Sequence, residues 1–256
     1  MLRRSWVIAR QELRLVSHDP FPLLAFAVLP LIGMVFMKSA FQATLLSEGV
    51  DHATGAEQAV PGIAVTFGPV LIGTVGYSFY REYGWKTWER LRASPVSTAE
   101  IMCGKTVLPL LQAAGQFVFL FGLGALLLDL QVRGSWGQLI LVATAFGLFL
   151  IALGFAITAV CRTAIQASAI AYIGGLAGAC IGGALMPYST LPPWAQAIAP
   201  AFPHYWAMRG YRNAILDQGE SVLLPLVMLL FFAAVFAGIA AWRLRFDDVK
   251  AGFMVN

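Results

Sequence analysis

Lysine, histidine and cysteine are the side chains through which this chain would do chemistry. Gly104-Lys105-Thr106 has the form of the end of a phosphate-binding loop, but Ala99 stands where that loop needs its first glycine and no buried strand precedes it. The stretch is therefore not read as a nucleotide site. Gly174, Gly175, Gly178, Gly182 and Gly183 lie in an apolar run, where small residues at steps of three and four let helices approach closely. Cys103, Cys161 and Cys180 show no C-x-x-C spacing and read as small apolar side chains. His18, His52 and His204 occupy three separate segments and assemble no metal set from local spacing. An intramembrane enzyme would want a nucleophile with its base, or paired carboxylates, at membrane depth. The nearest thing, His204 with Tyr205, falls in a proline-rich stretch that suits packing or an interfacial role. The chain is expected to be non-catalytic, with no metal or cofactor of its own.

The densest concentration of charge runs from Arg81 to Ile101. Trp85, Trp88, Leu91 and Arg92 recur at helical spacing, Ser94-Pro95 marks a turn, and Ser97 with Glu100 forms an S-x-x-E capping box. The expectation is a short helix, a turn, and a capped helix leading into an apolar run. Such a segment suits docking of a soluble partner, and it equally suits a helix lying on a membrane surface.

The elements around it are set by lipid. Hydrophobic residues make up 59% of the 256 and charged residues 12%, with a mean hydropathy of +0.75. Apolar runs over 20–38, 61–80, 104–128, 136–160, 164–187 and 222–242 are each long enough to span a bilayer as a helix. They are far longer than the alternating strands of a barrel. The fold class is an all-α integral membrane protein with six transmembrane helices, expected to form one domain over 1–256 with no large soluble part. Thirteen of the seventeen lysines and arginines fall on one side of this arrangement: Arg3, Arg4, Arg10, Arg14, Arg81, Lys86, Arg90, Arg92, Lys105, Arg162, Arg243, Arg245 and Lys250. That side, with both termini, is expected to be cytoplasmic. The loop over 41–60 has no lysine or arginine and is expected outside. Mid-span ionisable residues are lacking, which argues against a proton- or sodium-coupled carrier. The net charge of +4 belongs to membrane orientation rather than to nucleic acid.

Over 1–18, Leu2, Trp6, Ala9, Leu13 and Val16 recur at steps of three and four, while Arg3, Arg10, Arg14 and Ser17 line another face. This predicts an amphipathic interfacial helix, anchored on membrane lipid by Trp6, Arg3, Arg10 and Arg14. The following apolar run is full span length and is read as a retained helix rather than a cleaved signal. Residues 188–216 carry prolines together with Trp194, Tyr205 and Trp206, and predict an external re-entrant helical hairpin before the last span. A tail follows over 243–256.

The 81–105 stretch resembles the coupling-helix region of type-2 ABC transporter permeases. Arg81, Glu82 and Gly84 match R-E-x-G; Thr87, Glu89 and Leu91 match T-x-E-x-L; Ser94 to Ser97 match S-P-V-S; Glu100, Ile101, Gly104 and Lys105 match E-I-x-x-G-K. Trp85 and Lys86 separate Gly84 from Thr87, where many members run Gly-Thr directly. Leu191-Pro192-Pro193-Trp194 through Pro203-His204-Tyr205-Trp206 to Arg209 and Arg212 is similar to the family's external segment. The resemblance implies a permease that pairs with a second copy or a similar permease, and with cytoplasmic ATPase subunits that bind ATP and magnesium. It implies coupling to the ATPase through Arg81, Glu82, Gly84, Thr87, Glu89, Arg90, Leu91, Ser94 and Pro95. Apolar, aromatic-bearing spans suit a lipophilic drug, antibiotic or lipid-like cargo. A polysaccharide or glycolipid cargo and a non-transporting scaffold are the alternatives. Phe67, Tyr77 and Phe79 are candidate residues of the path.

Overall fold

The computed structural model describes residues 2–17, 21–217 and 219–243, and among them every regular element is helical. The helix α1 (Leu2–Ser17) is followed by α2 (Phe21–Ser47), α3 (Ala56–Thr66) and α4 (Pro69–Gly84). After the short α5 (Trp88–Ala93) come the long α6 (Thr98–Leu127), α7 (Trp136–Val160) and α8 (Ala164–Ile181). Two single 3-10 turns bracket α9 (Pro193–Ile198), and α10 (Pro203–Leu216) leads to α11 (Leu223–Arg243). Six stretches are long and apolar enough to cross a membrane, with α3 and α4 together supplying the second. The chain is a multi-pass membrane protein.

Four features differ from the hydropathy reading. The first span does not stop at 38, because Phe41 and Leu45 bury their side chains and neither glycine nor proline stands between Lys38 and Gly49. Lys38 consequently lies within α2, where its Nζ is 3.6 Å from Asp129. The expected 41–60 loop shrinks to 48–55, since α3 begins at Ala56. Hydropathy also runs unbroken through the second span, yet the chain breaks at Phe67-Gly68. Pro69 has no N–H to donate and disfavours helical geometry in the residue before it, so the backbone restarts there as α4. The fifth span, α8, ends at Ile181, short of 187, because Gly183 takes a positive φ of 84° and turns the chain out of the helix.

The packing is centred on α7, which contacts α11, α4, α10, α6 and α8. The main core gathers Leu139, Val142, Phe146, Phe149 and Leu150 of α7 with Leu120 and Phe121 of α6 and Leu229 of α11. Small residues bring the helices together: a Cβ at Gly154 would sit 2.9 Å from Val75, and one at Gly175 would sit 2.1 Å from the Pro69 ring. The other faces of α2, α6, α8 and α11 leave large apolar side chains exposed, including Phe36, Val118, Ile173 and Phe231. That is the arrangement a chain adopts when its solvent is hydrocarbon. The segment over 188–216 is tied into the bundle, since Trp206, Ala207, Met208, Tyr211, Ala214 and Ile215 of α10 all belong to the main core.

Candidate functional site

The charge-dense segment folds largely by local rules. Ser97 accepts from the Glu100 backbone N–H at 3.3 Å, and the Glu100 carboxylate accepts from the Ser97 N–H at 2.8 Å. This reciprocal pair is the expected capping box, and it fixes where α6 begins. Ser97→Ala should cost about 1 kcal/mol. Amide hydrogen exchange should then rise over the first turn of α6, while amides near Lys105 stay protected.

Where α4 ends and α6 begins, four charged side chains from three helices meet. Glu12 of α1 is 2% exposed, Arg81 of α4 is 7% exposed and Lys105 of α6 is 1% exposed. One Glu12 oxygen accepts from Lys105 Nζ at 2.9 Å, and the other pairs with the Arg81 guanidinium. Lys105 also donates to the Ser78 carbonyl at 2.7 Å and lies 3.3 Å from Glu82 Oε1. The second Glu82 oxygen accepts from the Thr87 hydroxyl, while the Thr87 N–H donates to the Glu82 carbonyl at 3.0 Å. Two carboxylates and two cations balance, which is what burial of charge requires. Aromatic rings flank the cations: Lys105 sits 5.2 Å from the Phe79 ring centroid, and Arg81 5.4 Å and 5.3 Å from those of Tyr77 and Trp85.

The approach of α1 to α6 depends on a glycine. A Cβ at Gly104 would fall 2.8 Å from both Ile8 Cβ and the Ser5 carbonyl oxygen, so only glycine lets α1 come close enough for Glu12 to reach Lys105. Gly104-Lys105-Thr106 is thus a helix contact and an ion-pair ligand within α6, the opposite of a phosphate cradle. Nothing in the cluster pairs a nucleophile with a base. It can tie α1 to both helices that flank the α5 segment, so that movement of one is felt by the others.

Of the residues singled out from sequence, Arg81, Glu82 and Thr87 come together here. Gly84 at the end of α4 is exposed, as are Glu89, Arg90 and Pro95 on the connecting segment, and Ser94 is half-buried. Leu91 and Arg3 lie in α5 and α1, with side chains outside the described residues. Trp6, Arg10 and Arg14 are exposed on α1. Of the candidate path residues, Tyr77 is exposed, Phe79 packs edge-on to Phe155 at 5.8 Å, and Phe67 leans on the main core. Glu12 went unnoticed in the sequence. Its signal was that of a lone carboxylate in a basic helix, in register with Ser5, Ile8 and Ala9 rather than with the arginine face.

Residues 3–216, from α1 through α10, match the family model described as ABC-2 type transporter. The chain belongs to the ABC-2 type transporter family. Curated relatives of this ABC-2 protein include the probable multidrug ABC transporter permease YbhR of Escherichia coli strain K12 and that of strain O157:H7. Each is 26% identical over 169 residues, covering 64% of this chain and 45% of the relative. The chain therefore spans less than half the length of the curated relatives it matches. The ABC-2 match takes in the whole charge cluster, since Glu12, Arg81, Glu82 and Lys105 all lie within it.

Proposed function

We propose that this chain is a single-domain membrane permease of an ATP-driven exporter, with ATP and magnesium bound by a separate cytoplasmic ATPase subunit. The observation that carries this reading is the buried four-charge cluster, which joins α1 to the two helices flanking an exposed α5 segment. Glu89 and Arg90 on that segment offer opposite charges to a soluble partner, Gly84, Thr87, Ser94 and Pro95 set its shape, and Leu91 belongs to the same coupling set. Closure of an ATPase dimer against α5 would move the ends of α4 and α6 together, because Lys105 bonds to Glu12, Glu82 and the Ser78 carbonyl at once.

On this reading the α1 end of the bundle and both termini are cytoplasmic, in keeping with the lysine and arginine distribution. The helix α1 lies at the membrane interface through Trp6, Arg3, Arg10 and Arg14, and the 188–216 hairpin faces outside. A second permease, identical or similar, completes the transport path. A lipophilic drug, antibiotic or lipid-like cargo fits apolar helix faces, and the relatives' description as multidrug permeases points the same way.

The test is purification of the tagged chain from native membrane in mild detergent, with mass spectrometry of whatever co-elutes in near-stoichiometric amount. A nucleotide-binding ATPase is expected, and charge reversal at Glu89 or Arg90 should remove it while leaving the permease folded. Recovery of the chain alone, or an ATPase retained by both reversals, would overturn the docking surface.

A further inference from the structure

A cleft of about 400 Å³ lies between α7, α8 and α11, and almost all of its wall is apolar. Phe149, Leu153, Ile157 and Val160 line it along α7, with Gly174 of α8 and Phe236 of α11 facing them. From Phe149 to Val160 the wall runs roughly 16 Å along the helix axis, about half the thickness of a bilayer's hydrocarbon core. Val160 and Ile170 are exposed at its edge, so the cleft opens sideways to the surrounding lipid. Its volume lies within the range of small-molecule sites.

One wall residue does not fit an apolar lining. His204, at the start of α10, is 3% exposed, and neither ring nitrogen has a hydrogen-bond partner. Phe146 and Phe149 stand edge-on to the ring at 5.7 Å and 6.1 Å. Its seat is hollowed from α8, since a Cβ at Gly178 would fall 2.4 Å from Nδ1. Burial pushes the imidazole pKa down to about 4, leaving the ring neutral, with one nitrogen a donor and the other an acceptor. A phenylalanine would fill the same seat without the penalty of two unpaired polar atoms.

We propose that this cleft binds an uncharged lipophilic molecule carrying one hydroxyl group, its chain along α7 and its hydroxyl paired with His204. A hydroxyl both donates and accepts, so it can satisfy a neutral imidazole through either nitrogen. An ammonium or carboxylate is disfavoured, because the lining residues include no lysine, arginine, aspartate or glutamate to balance it. His204 forms part of the cleft's wall with both ring nitrogens buried, so pairing requires the ring to turn about χ2, a broad torsion in histidine. The site is independent of the ATPase reading, since it is built within one chain.

The full chain in lipid nanodiscs, without any ATPase, would be photolabelled with a diazirine-bearing dodecanol and with the matching alkane that lacks the hydroxyl. Peptide mapping should place the dodecanol label on α7 and α8 around Leu153, Ile157 and Gly174, at roughly tenfold the alkane yield, the ratio one buried hydrogen bond supplies. His204→Phe should bring dodecanol down to the alkane level. Gly174→Leu, at a position where an added Cβ meets no atom within 4 Å, should fill the cleft and depress both labels. Equal labelling by alcohol and alkane in the wild type, or an alcohol preference that survives His204→Phe, overturns the proposal. If that variant fails to fold, the imidazole ¹⁵N resonances of the wild type decide it: dodecanol should shift those of His204, and no shift rejects the site. Because no ATPase is present, none of these outcomes depends on whether an ATPase docks on α5.

Discussion

Glu12→Ala should destabilise this protein by about 3–5 kcal/mol, the usual consequence of removing one partner from a buried charge set. The carboxylate serves two cations at once, Lys105 through one oxygen and Arg81 through the other, and all three side chains are nearly inaccessible. Its loss leaves Arg81 without an anion in the cluster and Lys105 with only Glu82 at 3.3 Å and the Ser78 carbonyl. Lys105→Met should cost less, because Glu12 then keeps Arg81 and Glu82 keeps Thr87. Thermal unfolding in detergent checks the order, and a double-mutant cycle between positions 12 and 105 should give a coupling well above the few tenths of a kcal/mol expected of independent sites. A melting point for Glu12→Ala within a degree of wild type would remove the cluster as the joint between α1 and the α4–α6 pair. Under the proposed mechanism, partner-driven transport should fall more steeply than stability, since the same bonds would carry the displacement.

What could be read from the sequence divides by range of interaction. The capping box at Ser97 and Glu100 was legible because both bonds close within three residues. The long apolar runs were legible because lipid imposes their length whatever they pack against. The break at Phe67-Gly68 was obscured because Phe67, Val70 and Leu71 keep the hydropathy high across it. Glu12 was out of reach for a different reason: its partners Arg81 and Lys105 lie 69 and 93 residues away. Nothing within α1 announces that one carboxylate will be buried. Lys105 stood in the coupling-region pattern, yet its role appeared only when Gly104 was seen to admit α1. His204 likewise looked like an interfacial residue in a proline-rich stretch, and the glycines of α8 that enclose it looked like general packing residues. Each became specific only when the other was placed.

Gly55 should be the least replaceable glycine of the short loop between α2 and α3, and Gly49 provides its control. Both have positive φ, 87° and 81°, so alanine at either carries the left-handed strain of about 1–2 kcal/mol. Their surroundings differ. A Cβ at Gly49 meets nothing within 4 Å, whereas one at Gly55 would lie 1.9 Å from the Lys38 carbonyl oxygen and 2.7 Å from the Gln42 nitrogen, both backbone atoms of α2. Backbone inside a helix cannot swing aside as a side chain can, so the loop must move. The bonds it would break are those holding the start of α3, where the buried Glu57 carboxylate accepts from the Thr54 and Gly55 N–H groups at 3.1 Å and 2.9 Å. Gly55→Ala should therefore cost more than about 4 kcal/mol, in the range reserved for severe steric or network loss, against about 1–2 for Gly49→Ala. Thermal midpoints and yields of the two variants, purified side by side in detergent, make the comparison. Equal losses would mean that backbone strain alone sets the cost, and that α2 and α3 do not cross as closely at Lys38 as the structure places them.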